Sequence, residues 1–135
     1  MSHFTRVRTV LRDPGLLAAA LATAGFEAVE THETPQTLYG YRGDARPERA
    51  EIIVRRRHVG RASNDIGFRR SADGTFEAII SEYDRARYGP AWLARVARAY
   101  GHAAALRYAE DHGYEVASDT VERDGERRLI LRRYT

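Results

Sequence analysis

The chain has no cysteine among its 135 residues. That excludes disulfides, thiolate catalysis, Cys-ligated zinc and iron–sulfur clusters. It has no lysine either, since all 22 basic residues are arginine. A Schiff-base lysine, a P-loop lysine and any lysine-borne modification are removed with it. No apolar run approaches the roughly 20 residues needed to span a bilayer. The opening Met-Ser-His-Phe-Thr-Arg lacks the apolar core of a signal peptide. A soluble, cytoplasmic protein with no membrane partner is expected. Arg and Ala enrichment without Lys is what a GC-rich bacterial genome produces, so the arginines are first a compositional matter. The 19 acidic residues are interspersed with them and leave a formal net charge of +3. A mixed, solvated surface follows more readily than a nucleic-acid footprint.

What is present organises into one globular domain over residues 1–135, long enough for a core without staples. His3 to Leu11 suits a first strand. Asp13 then caps a helix with Pro14 in its first turn, where the missing N–H costs nothing. Leu16, Leu17, Ala20, Leu21 and Ala24 form the apolar face of that helix, and Gly25 ends it. Glu27–Thr31 reads as a strand, Pro35 as an interruption, and Thr37–Tyr41 as another strand. A polar loop over 42–49 and a strand over Glu51–Arg57 follow, then a second polar loop over 58–64. Ile66–Arg70 and Thr75–Ile80 flank Asp73-Gly74, a turn signal, and predict a β-hairpin with Ile66, Phe68 and Phe76 in the core.

After a connector over 81–88 and Gly89-Pro90, the longest helix runs over Ala91–His112. Its expected apolar stripe is Leu93, Val96, Ala97, Tyr100, Ala103, Ala104 and Tyr108. Two final strands turn at Asp124-Gly125. Gly25-Phe26-Glu27 and Gly113-Tyr114-Glu115 end the two helices alike, through duplication of a helix–strand–strand unit or through ordinary capping. Two helices and eight short strands predict an α+β fold, a mostly antiparallel sheet with both helices packed on one face. The opposite face is expected to stay open or to meet a partner.

No catalytic constellation stands out. The five histidines lack metalloprotease spacing, and no serine sits in a Gly-x-Ser-x-Gly setting. No metal, cofactor or catalytic residue is assigned. Arg55-Arg56-Arg57-His58, with Arg61, Arg69 and Arg70, is the best anion-binding stretch. Strand alternation would split Arg55 and Arg57 from Arg56, and the plain reading is a solvated strand end. Asp65, just before Ile66-Gly67-Phe68, reads either as a strand-start residue bonding nearby amides or as an acidic contact for a partner. His3 joins it if the fold brings the two together. Asp65, His3, Arg55 and Arg57 are therefore the candidate partner or ligand contacts.

Several segments together resemble family 1257 of the domains of unknown function, found in bacteria and cyanobacteria and in plastid genomes as hypothetical open reading frame 35. They are Met1-Ser2-His3-Phe4-Thr5, Ala50-Glu51-Ile52-Ile53-Val54-Arg55, Asp65-Ile66-Gly67-Phe68 and Asp73-Gly74-Thr75-Phe76-Glu77. Gly113-Tyr114-Glu115-Val116 and Asp124-Gly125 before Arg128-Leu129-Ile130-Leu131 complete the set. The family often closes on an Arg-Trp pair where this chain has Arg133-Tyr134. The resemblance implies an accessory or adaptor role beside AAA-type ATPases and no established reaction. An uncharacterised interaction module, binding a protein partner or a second copy of itself, is the leading expectation. RNA or single-stranded nucleic-acid binding through an Arg–Tyr surface is the first alternative, and a small ligand-binding domain or enzyme the second.

Overall fold

The computed structural model describes residues 3–133. Met1, Ser2, Tyr134 and Thr135 lie outside the described residues, among them the first two positions of the family resemblance and the closing aromatic. Seven strands and two long helices are present among the described residues, so the fold is α+β. Five strands form one antiparallel sheet in the order β1-β5-β4-β3-β2. They are β1 (Phe4–Arg8), β2 (Val29–Tyr39), β3 (Ala45–Val54), β4 (Ile66–Arg70) and β5 (Phe76–Ser81). The remaining two, β6 (Tyr114–Val121) and β7 (Arg127–Arg133), pair only with each other among the described residues.

The first helix, α1 (Pro14–Thr23), starts where its cap dictates, with Asp13 Oδ1 accepting from the Leu16 amide at 3.0 Å. It ends in paired bonds from the Phe26 amide to Leu21 O and from the Gly25 amide to Ala22 O, with Gly25 at φ 112°. This satisfies carbonyls that the last turn leaves unpaired. The long helix, α3 (Pro90–Asp111), packs beside α1 on the same sheet face. Its buried anchors are Trp92, Val96 and Ala109. The expected stripe is corrected there, because Ala97 and Tyr108 are exposed and Trp92, outside the stripe, is buried beside Val96. Phe26, Tyr88 and Phe68 surround its ring at centroid distances of 5.9, 5.3 and 6.5 Å. Its Nε1 has no hydrogen-bond partner among the described residues.

Two sequence expectations about the sheet change. The segments expected as separate strands at Glu27–Thr31 and Thr37–Tyr41 are one edge strand, β2. Pro35 falls in its irregular stretch, between the Thr31↔Ile52 and Gln36↔Ala50 pairs. Proline lacks an N–H, and an edge strand at a bulge does not require one there. The loop expected over 42–49 is instead the first half of β3, where Pro47 is tolerated because β4 pairs only with Ile52 to Val54. β3 ends at Val54, and Arg56–Val59 forms a single helical turn, α2.

A further correction concerns the face away from the helices. Ile52, Val54, Phe68, Ala78 and Ile80 point toward the helices. Ile53 and Ile79 alternate to the other side and meet Leu38 and Ala50, all four fully buried. The outer half of the β2–β3 hairpin curls over that face and covers its centre. Gly67 makes the curl fit: a Cβ there would stand 2.7 Å from Ala50 Cβ and 2.9 Å from Leu38 Cδ1. Side chains, rather than a second backbone, fill the room beside Gly67. No helix among the described residues is long and apolar enough to cross a membrane.

Candidate functional site

Asp65 precedes β4, Arg55 follows β3, and both lie beside β2. Asp65 is 1% exposed. Its Oδ1 accepts from the Arg56 amide at 2.7 Å, and its Oδ2 from the Tyr39 amide at 2.8 Å and Arg55 Nη1 at 2.9 Å. Its own amide donates to Tyr39 O at 3.0 Å. Arg55 holds Glu30 on β2 with two parallel bonds, Nε to Oε2 at 2.8 Å and Nη2 to Oε1 at 3.0 Å. Arg55 Nη1 also donates to Thr37 O at 3.0 Å. The Arg55 guanidinium holds the Glu30 carboxyl down to about 2, against partial burial, with His32 assisting. The same bonds raise the pKa of Arg55.

This cluster fastens the two strand ends to the far part of β2, where the hairpin begins to curl. Asp65 accepts three donors, two of them backbone amides, which leaves it poorly disposed to act as a general base. The structure thus brings Asp65 and Arg55 into one bonded unit. Arg57 lies next to it on α2, exposed, its Nε 3.2 Å from His58 Nε2. His3 is elsewhere, at the start of β1, with Nε2 3.9 Å from Glu82 Oε1, and it bonds neither Asp65 nor Asp84. Glu30 was missed because nothing local marks it; only the pairing of Glu30 with Ile53 brings it beside Arg55.

A second buried polar cluster lies at the end of β5. Asp84 Oδ2 accepts from the Asn64 amide at 3.0 Å, Asn64 Nδ2 at 3.2 Å and Ser81 Oγ at 2.8 Å. It ties the loop before β4 to the 3₁₀ turn Asp84–Ala86. Among the described residues no histidine bonds this Ser–Asp pair.

A cleft with a mixed lining lies at the β6–β7 ribbon. The β6–β7 ribbon leans one face on α3, fastened by Asp119. That carboxylate takes His102 Nε2 at 2.8 Å and Arg127 Nε at 2.8 Å, and is held down to about 2, chiefly by Arg127 and then by His102. Between the end of α1, α3 and the ribbon runs a cleft of about 690 Å³. Ala24, Ala99, Ala103, Leu106 and Val121 line it, with Arg95 and Arg98 on its lip. Positions 95, 98, 99, 102, 103 and 106 recur at three- and four-residue spacing, so one stripe of α3 forms the wall. Neither Arg95 nor Arg98 has a hydrogen bond or a carboxylate within 4.0 Å among the described residues. Val121 is 64% exposed, and among the described residues both outer edges of the ribbon lack a paired strand. The signal for this stripe was present in the sequence as Arg95, Arg98 and His102. The apolar positions of the neighbouring face, Leu93, Val96 and Tyr100, mask it in the sequence.

Neither a curated protein nor a solved structure matches the chain. A family model does, over residues 20–130, which spans the last turn of α1, the whole sheet except β1, α3 and most of the ribbon. On that match the chain belongs to the family described as Protein of unknown function (DUF1257).

Proposed function

We propose that the protein is a non-catalytic interaction module that receives an acidic, partly apolar segment of a partner protein in the cleft between α3 and the β6–β7 ribbon. The observation that carries this reading is the pairing of two uncompensated guanidiniums, Arg95 and Arg98, with an apolar lining. Apolar side chains on an incompletely covered helix favour a protein segment, since a polyanionic backbone gains nothing from them. Carboxylates on the incoming segment would supply the charge that the lip lacks. The open ribbon edges add a place where an extended part of the same partner can pair.

Nucleic acid has weaker support as the partner. Arg55 is closed off by Glu30 and Asp65, and the Arg70 guanidinium lies 4.9 Å over the Phe76 ring, so the arginine-rich stretch does not present one continuous Arg–Tyr surface. The test places a photo-crosslinking residue at Ala99 in the protein expressed in its host and maps the captured chain by mass spectrometry. A single partner, joined through an acidic segment and lost in the Arg95→Glu/Arg98→Glu variant, is expected. A dimer of this chain, insensitive to those charge reversals, would replace the proposal with self-association. Capture that persists unchanged in the variant would end it.

A further inference from the structure

We propose that a second site, the groove above α2, binds a phosphate-bearing small molecule of nucleoside phosphate size. The groove is separate from the α3–ribbon cleft and does not depend on it. It has a volume of about 780 Å³, within the range of roughly 300–1,000 Å³ common for small-molecule pockets. Four guanidiniums line it, those of Arg55, Arg56, Arg57 and Arg61, against two carboxylates, Glu30 and Asp65.

The distribution of bonds matters more than the count. Both carboxylates are taken by Arg55, at 2.8 and 2.9 Å. Arg56, Arg57 and Arg61 have no carboxylate within 4.0 Å among the described residues. Like charges crowded on a single turn and its exit disfavour the empty state, and an anion relieves them. Arg56 is already oriented, because its Nη1 donates to Tyr41 O at 2.9 Å and its amide is pinned by Asp65. The Arg55–Asp65–Glu30 unit therefore acts as a bonded floor in which both carboxylates are already held by one guanidinium, and Arg56, Arg57 and Arg61 outweigh the negative charge left on it and remain for a ligand. Guanidinium groups bind phosphate oxygens in pairs, with geometry that a lysine amine lacks.

The opposite wall is aromatic. Tyr39 is 40% exposed, and its ring lies 5.7 Å from the Arg55 guanidinium carbon. An exposed ring beside a cluster of phosphate-binding side chains suits a molecule with a planar base at one end and charge at the other. That combination selects a nucleoside phosphate over inorganic phosphate alone.

Isothermal titration of the full chain at low ionic strength tests this, with ATP, AMP, inorganic pyrophosphate and a single-stranded oligouridylate as probes. ATP is expected to bind with an affinity that falls as salt rises, and pyrophosphate more weakly. Arg57→Ala/Arg61→Ala is expected to weaken ATP at least tenfold; both side chains are exposed, so the fold is retained, as emission from the sole tryptophan will report. Tyr39→Ala should weaken ATP while leaving pyrophosphate unchanged. No binding of ATP at millimolar concentration, or binding unaltered in the double arginine variant, would overturn the site. Tight binding of the oligouridylate with none of ATP would overturn the small-molecule assignment in favour of a single-stranded nucleic acid.

Discussion

At the scale of single residues, Asp65 and Gly67 carry opposite kinds of constraint. Asp65 is a buried charge whose partners are an arginine and two backbone amides. Its removal takes one of the two carboxylates from Arg55, which keeps Glu30, and leaves two backbone amides unpaired. Asp65→Ala is expected to cost about 3–5 kcal/mol, the scale of a broken buried pair, read as the fall in midpoint during urea unfolding followed by Trp92 emission. Asp65→Asn keeps the acceptor at one oxygen only and should fall between that variant and the wild type. Gly67 constrains by volume, because a methyl group would enter the space of Ala50 and Leu38. Gly67→Ala should therefore destabilise by about 1–3 kcal/mol, and a compensating Leu38→Ala change in the same chain should recover part of the space.

Glu30 supplies a pH prediction at this scale. Its carboxyl titrates at about 2 in the folded chain against an ordinary 4.5. A depressed acid contributes stability that is fully present above its unfolded value and is lost as pH falls through its folded one. The Glu30–Arg55 contribution should hold at neutral pH, start to decline below about 4.5 and be gone below about 2. Carboxyl titration by NMR checks the midpoint, and Glu30→Gln should flatten that part of the stability profile. A midpoint near 4.5 would show that the pair does not form in solution.

At the scale of elements, the helices were the most legible part of the sequence. Asp13, Pro14 and Gly25 bound α1 by local chemistry alone, and Gly89-Pro90 with Gly113 bounds α3. The β4–β5 hairpin was legible for the same reason, since alternation and a turn signal act within a few residues. Prolines misled in β2 and β3. A proline is read as a break unless the strand is known to lie at an edge, and edge position is a property of the sheet rather than of the segment. The site residues divide along the same line. Asp65 was visible as an odd acid at a strand start, whereas its partner Tyr39 lies 26 positions away and Glu30, the second carboxylate on Arg55, lies 25 positions from that arginine; both are brought in only by the register of β2 with β3.

The ribbon is the least supported element. It rests on a single helix, its strand edges are open, and Val116, Val121 and Ile130 stay exposed. Amide hydrogen exchange should find β6 and β7 among the fastest-exchanging strands and β4 and β5 among the slowest. Asp119→Ala removes the acceptor shared by His102 and Arg127, and should accelerate exchange in the ribbon while leaving β4 and β5 unchanged. Uniform acceleration across both parts would show that ribbon and sheet unfold as one unit.

At the scale of the whole molecule, α3 belongs to two structures at once. Its first half supplies Trp92 and Val96 to the core over the sheet, and its second half carries the ribbon. Between them the helix is tied to the start of α1: Tyr100 Oη accepts from the amides of Arg12 and Asp13 at 3.3 and 2.9 Å, and Arg107 Nη2 meets Asp13 Oδ2 at 2.9 Å. A load applied to the ribbon travels along one rod and is first borne at those exposed polar ties, well before it reaches the aromatic cluster. The rod can therefore yield at its outer end without opening the core, so the ribbon is free to be pulled, exchanged or remodelled while the sheet beneath keeps its shape.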